Sequence, residues 1–90
     1  MHSAIVQVKI NDFERGREFL TTQVVPRVSE APGFVAGYWA RTEDDHGRSM
    51  IVFESEEGAR SAKQMIEANA PDDDAVTLES VEVAEVVASA

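Results

Sequence analysis

The chain has no cysteine among its 90 residues, so neither disulfides nor thiolate metal sites can support its fold. It is also short of bases, with 8 Lys and Arg against 17 Asp and Glu and a formal net charge of −9. That balance opposes nucleic acid, whose phosphates need clustered cations. It equally opposes docking on an anionic membrane surface. No run approaches the roughly 20 apolar residues of a membrane span. The opening Met1-His2-Ser3-Ala4-Ile5 enters an alternating segment with no basic region and apolar run, so no secretory leader is expected and the expected location is cytoplasmic. A glycine-rich phosphate loop, a Gly-x-Ser-x-Gly elbow and the spaced acids of an EF-hand are all missing, which removes the usual grounds for a nucleotide enzyme or a hydrolase. Two widely separated histidines, His2 and His46, make no metal-ligand pattern.

What is present is the makings of one small domain spanning 1–90. The hydrophobic share of 43% suits a folded globule. So small a core is marginal alone, and without cysteine or metal the common remedy is oligomerisation.

Ser3 to Ile10 alternates, with Ala4, Val6, Val8 and Ile10 on one face and Ser3, Ile5, Gln7 and Lys9 on the other, which predicts a strand. Asn11-Asp12 ends it and can cap a helix. From Phe13 the apolar positions take helical spacing through Gly16, Leu20, Val24, Val28 and Ala31. Pro26 predicts either a bend in this helix or a stop near Val25 followed by a second short turn. Pro32-Gly33 closes the segment. Phe34 to Thr42 reads as the second strand, with Phe34, Ala36, Tyr38 and Ala40 on one face and Val35, Gly37, Trp39 and Arg41 on the other. A polar turn, Glu43-Asp44-Asp45-His46-Gly47, predicts a hairpin reversing at the glycine. Arg48 to Glu54 is the third strand. Ser55 caps a helix running to Asn69 on a stripe of Ala59, Ala62, Met65 and Ile66. Asp72-Asp73-Asp74 reads as a solvated loop. Ala75 to Val87 is the last strand, with a bulge or an end expected near Val86-Val87.

The predicted class is α+β, a ferredoxin-like βαββαβ pattern with a four-stranded antiparallel sheet and both helices on one face. The helices should cover Val6, Val8, Ile10, Ile51 and Phe53. The opposite face keeps Ile5, Met50, Val52 and one set from the second strand, an apolar surface that a soluble chain hides. A homodimer through that open face is therefore expected.

Candidate binding residues lie on the second and third strands. Tyr38 and Trp39 are neighbours, so they point to opposite sides of the sheet, one toward the helices and one toward the dimer interface. Either could stack on a flat ligand, with Arg41 meeting a ligand anion. Phe53 belongs to the same group. His46 in its acidic turn lacks the cleft and positioned partner of a general base. Glu79, Glu82 and Glu85 are expected to face water or an interface rim.

Three stretches carry a family likeness: Gln7-Val8-Lys9-Ile10 before a helix, Ala31-Pro32-Gly33-Phe34-Val35-Ala36-Gly37-Tyr38, and Val52-Phe53-Glu54-Ser55-Glu56-Glu57 leading into the second helix. With the final Ser80-Val81-Glu82-Val83 strand, the chain resembles the antibiotic biosynthesis monooxygenase-like (ABM-like) proteins of the dimeric α+β barrel superfamily. The resemblance implies a homodimer whose sheets form a barrel, and a pocket between sheet and helices. Members with known chemistry include cofactor-free oxygenases acting on polycyclic aromatics and haem-degrading enzymes, and many others have no known activity. In the haem-degrading members a histidine on the second helix holds iron, whereas residues 56–69 here contain none. Those members carry Asn on the first strand, where this chain has Ala4, Val6 and Val8, and Trp at the position of Phe53. No cofactor and no metal site are therefore expected.

Three readings follow. The chain is a cofactor-independent monooxygenase acting on a small aromatic or apolar substrate, a non-catalytic binder of a small apolar ligand, or a dimerisation module with a self-filled core. The state of the space above Gly16, Ala59 and Ala62 decides among them: filled by Phe13, Leu20, Phe53 and Ile66, or open.

Overall fold

The computed structural model describes residues 1–68 and 75–90. The elements are β1 (His2–Ile10), α1 (Phe13–Phe19), a π-helical turn (Leu20–Val24), α2 (Val25–Ser29), β2 (Phe34–Arg41), β3 (His46–Phe53), α3 (Glu56–Ala68) and β4 (Val76–Glu85). The strands form one antiparallel sheet in the order β2-β3-β1-β4. Both helical layers lie on the side of Ala4, Val6, Ile51 and Phe53, as the alternation predicts. The expected loop at Asp72-Asp73-Asp74, and the last residue of the predicted second helix, Asn69, lie outside the described residues.

Residues 13–29 form one continuous helical run. Asp12 caps it by accepting from the Arg15 N–H at 3.2 Å. The run neither stops at Val25 nor opens a new turn at Pro26; instead it widens. Its apolar stripe, Gly16, Leu20, Val24, Val28, steps by four residues, and in an α-helix each such step overshoots a turn by about 40°. A wider turn inserted in the middle takes up that drift and keeps the stripe facing the sheet. The same widening accommodates Pro26, which in a regular helix clashes with the carbonyl four residues back, here that of Thr22. The Val25 N–H reaches Leu20 O, and the Thr21 and Thr22 hydroxyls donate to Arg17 O at 3.0 Å and Glu18 O at 2.7 Å.

Ala59 and Ala62 are the buried positions of α3, and small side chains let that helix sit close to the sheet. Beneath it Phe53, 1% exposed, meets Phe34 edge to face with ring centroids 6.2 Å apart. Phe34 therefore does not share a face with Ala36 and Tyr38. The β2–β3 register shifts between Phe34 and Ala36, and Val35 is the extra residue, left exposed. The hairpin reverses at Asp45, which takes a φ of 57°, rather than at Gly47. Gly47 lies inside β3, where an added Cβ would come 2.8 Å from Val8 Cγ2. β4 ends at Glu85, just before Val86-Val87 as expected, and it also carries a bulge the alternation did not show, Glu79, between the pairs Gln7–Ser80 and Val8–Leu78.

Candidate functional site

The end of the sheet under α3 is close-packed, and the other end is not. Between residues 13–29 and the ends of β1, β2 and β4 lies a cavity of about 440 Å³. Its floor is Val6, Val8 and Ile10 of β1, Trp39 of β2, Ile51 of β3, and Val76 and Leu78 of β4. Its roof is Phe13, Gly16, Phe19, Leu20, Val24 and Val28, with Met65 and Ile66 of α3 closing one side. Phe13, Leu20 and Ile66 border this space without filling it. The volume lies within the range of small-molecule sites, which are mostly apolar with a few placed polar groups.

The polar groups here are few: the indole of Trp39, Ser49, Gln23, and the arginines Arg17, Arg27, Arg41 and Arg48. No Asp, Glu, His, Cys or Tyr lines the cavity among the described residues. Trp39 is positioned by Gly37, since a Cβ there would fall 2.7 Å from Trp39 Cη2. Arg41 lies over the Phe13 ring, its guanidinium carbon 4.1 Å from the centroid, and donates to Asp45 Oδ1 at 2.8 Å.

The four strand residues proposed from sequence are thus divided. Trp39 and Arg41 share the cavity wall. Phe53 lies in the packed core outside it, and Tyr38 stands on the opposite face of the sheet, 70% exposed. On the helix side, sequence reasoning named Phe13, Gly16, Leu20 and Ile66 beside this space but missed its polar residues, Arg17, Gln23 and Arg27. The available signal for the arginines was their position beside the apolar stripe, next to Gly16 and Val28.

A second constellation sits on the open face, at the turn end of the sheet. His46 does have partners there: its Nδ1 lies 3.0 Å from Asp44 O and 3.2 Å from Asp44 Oδ2, and its Nε2 lies 3.3 Å from Glu79 Oε1. The Glu79 bulge supplies the second carboxylate. Gln7 Nε2 donates to the same Glu79 oxygen at 3.0 Å and Gln7 Oε1 accepts from Arg48 Nη1 at 3.0 Å. The Thr42 hydroxyl donates to Asp44 Oδ1. That bond is the main reason the Asp44 carboxyl sits below its ordinary value of 3.8; desolvation opposes the shift, and the charge of His46 adds to it.

The sequence matches no protein-family model and no curated protein. The fold does have a solved counterpart. The chain superposes on the crystal structure of an arginine-to-serine mutant of MhuD with two manganese protoporphyrin IX bound per active site, at a TM-score of 0.72 and 18% identity, covering 100% of this chain and 98% of that one. This likeness establishes the ferredoxin-like α+β fold. The cavity residues do not fit an iron porphyrin held by imidazole, thiolate or phenolate, since none of these groups lines it among the described residues. No cluster of three or more His, Cys, Asp or Glu suited to a metal ion occurs among the described residues either.

Because the folded-state pKa of Asp44 is depressed, its contribution to stability is present above the ordinary carboxylate value and is lost as pH falls through the folded value. Carbon-detected NMR titration is expected to find Asp44 titrating below 3.8, and Thr42→Val to bring it back toward that value. An unchanged titration in the variant would show that the hydroxyl is not the cause.

Proposed function

We propose that this chain is an ABM-like ligand-binding protein that holds one flat apolar molecule between its sheet and residues 13–29. The observation that carries this reading is the cavity of about 440 Å³, apolar on floor and roof, which the chain's own side chains leave open. A module whose core fills itself would have closed this space with Phe13, Leu20 and Ile66. The shared fold and the likeness of the strand and turn segments to ABM-like proteins support the same class.

Cofactor-independent monooxygenation of a small aromatic substrate is the second reading, and Trp39 in the cavity wall favours it, offering an aromatic face and an N–H to a bound ring. No described cavity side chain can take a proton at neutral pH, so the substrate would have to enter as its anion. Oxidation of a phenol to a quinone then replaces a ring C–H by C=O, with one atom of O₂ kept in the ring ketone and the other leaving as water.

We also infer that the open sheet face pairs with a second copy of the chain. Register aligns Tyr38, Met50, Ile5 and Glu82 in one row across the sheet, with Ala36, Val52, Ser3 and Ala84 beside it. Tyr38, Met50 and Ile5 are 70%, 38% and 36% exposed, a contiguous apolar surface that a soluble protein covers. Arg48 and Glu82 lie on this face at different strands, so a two-fold axis can bring opposite charges together across the interface.

Leu20→Trp is expected to fill the cavity and abolish binding of flat aromatic probes, measured by fluorescence titration, while circular dichroism remains that of a folded chain. Undiminished binding would place the ligand elsewhere. Oxygen-electrode measurements with a hydroquinone panel test the oxygenase reading; consumption by the wild type that falls in Trp39→Ala supports it, and no consumption across the panel removes it. In sedimentation velocity at tens of micromolar, the wild type is expected as a dimer and Met50→Arg as a monomer, because the two-fold places the new charge in the interface twice. A monomeric wild type would refute the pairing.

A further inference from the structure

We propose that the ligand is an aromatic acid, its flat body inside the cavity and its anionic group at the mouth between Arg17 and Arg27. This inference rests on the cavity reading above and specifies the charge of the molecule bound.

The charge pattern around the cavity is the reverse of the chain's. Acids outnumber bases 17 to 8 overall, yet no carboxylate and several arginines line this space among the described residues. Two of those arginines are already engaged. Arg41 is paired with Asp45 and stacked on Phe13, and the Arg48 guanidinium turns to Gln7 on the far face of the sheet. Arg17 and Arg27 remain, with no acidic partner among the described residues.

The charges of residues 13–29 are also sorted by side. Glu14 and Glu18 lie outside the lining, as does Arg15, whose guanidinium is 3.9 Å from Asp12. Arg17 and Arg27 are on the cavity side, one before the π-helical turn and one after it. Both are exposed, which places their charged ends at the mouth with their stems against the apolar wall. A solvated surface arginine needs no such sorting, and in so acidic a chain its neighbours would more often be carboxylates. An anion arriving on an apolar body would meet two uncompensated guanidinium groups at the edge of a low-dielectric space, where pairing is stronger than in bulk water. A neutral aromatic would gain only the apolar contact.

The test compares two fluorescent probes that differ in one group: 8-anilinonaphthalene-1-sulfonate, an aromatic anion, and N-phenyl-1-naphthylamine, its uncharged counterpart. Both are titrated into the wild type and into the double variant Arg17→Gln/Arg27→Gln, whose thermal melt is checked in parallel. The anion is expected to bind the wild type about tenfold more tightly than the neutral probe, and to lose about tenfold in the double variant, while the neutral probe changes less than twofold. Added sodium chloride should weaken the anion alone. Equal affinity for the two probes, or equal loss of both in the variant, would overturn the proposal and leave the cavity reading standing. Binding of neither probe would overturn the cavity reading, and the proposal with it.

Discussion

The structure depends on how closely each part of the helical layer approaches one sheet face. Over the part of the face bearing Ala4 and Phe53, the buried alanines of α3 let helix and sheet pack closely. Dispersion and apolar burial are largest there, and removing bulk from such a site costs more than the transfer energy of the atoms lost. Over the other part the roof comes from residues 13–29, and Phe13, Leu20 and Val24 stand off from Val8, Ile10 and Trp39. The buried side chains concentrate on the first part, and the second leaves a cavity between the layers.

The π-helical turn links these two demands. A stripe that advances by four residues cannot stay on one face of a regular α-helix, and a proline two residues beyond the turn would otherwise break the hydrogen-bond ladder. One widened turn meets both conditions, with Thr21 and Thr22 hydroxyls occupying carbonyls nearby. Turns of this kind are often found at functional sites, and this one forms part of the cavity roof through Leu20, Gln23 and Val24.

The strand positions, the two helical layers on one side, and the opposed directions of Tyr38 and Trp39 were legible because each follows from a period of two or of about 3.6 residues. What escaped the sequence was what a single extra residue does. Val35 and Glu79 each add one to a strand, and an alternation looks the same on either side of such an insertion. The first bulge moves Phe34 to the helix side. The second delivers a carboxylate to His46 from 33 residues away, so the histidine's partners could not be read from its own turn. Gly47 looked like the reversal point because it is a glycine after polar residues, while its actual requirement is a close approach by Val8. The cavity was unreadable for a related reason. Its existence depends on Phe13, Leu20 and Ile66 failing to meet, which is a matter of backbone separation and not of residue type.

Trp39 is the single tryptophan of the chain, and its indole, folded back over Gly37, forms part of the cavity wall. Its emission depends on the polarity of what lies against the ring. The protein therefore carries a built-in optical gauge in the wall of this cavity, and the arrival of any guest there should register as a change of colour or brightness without a label attached.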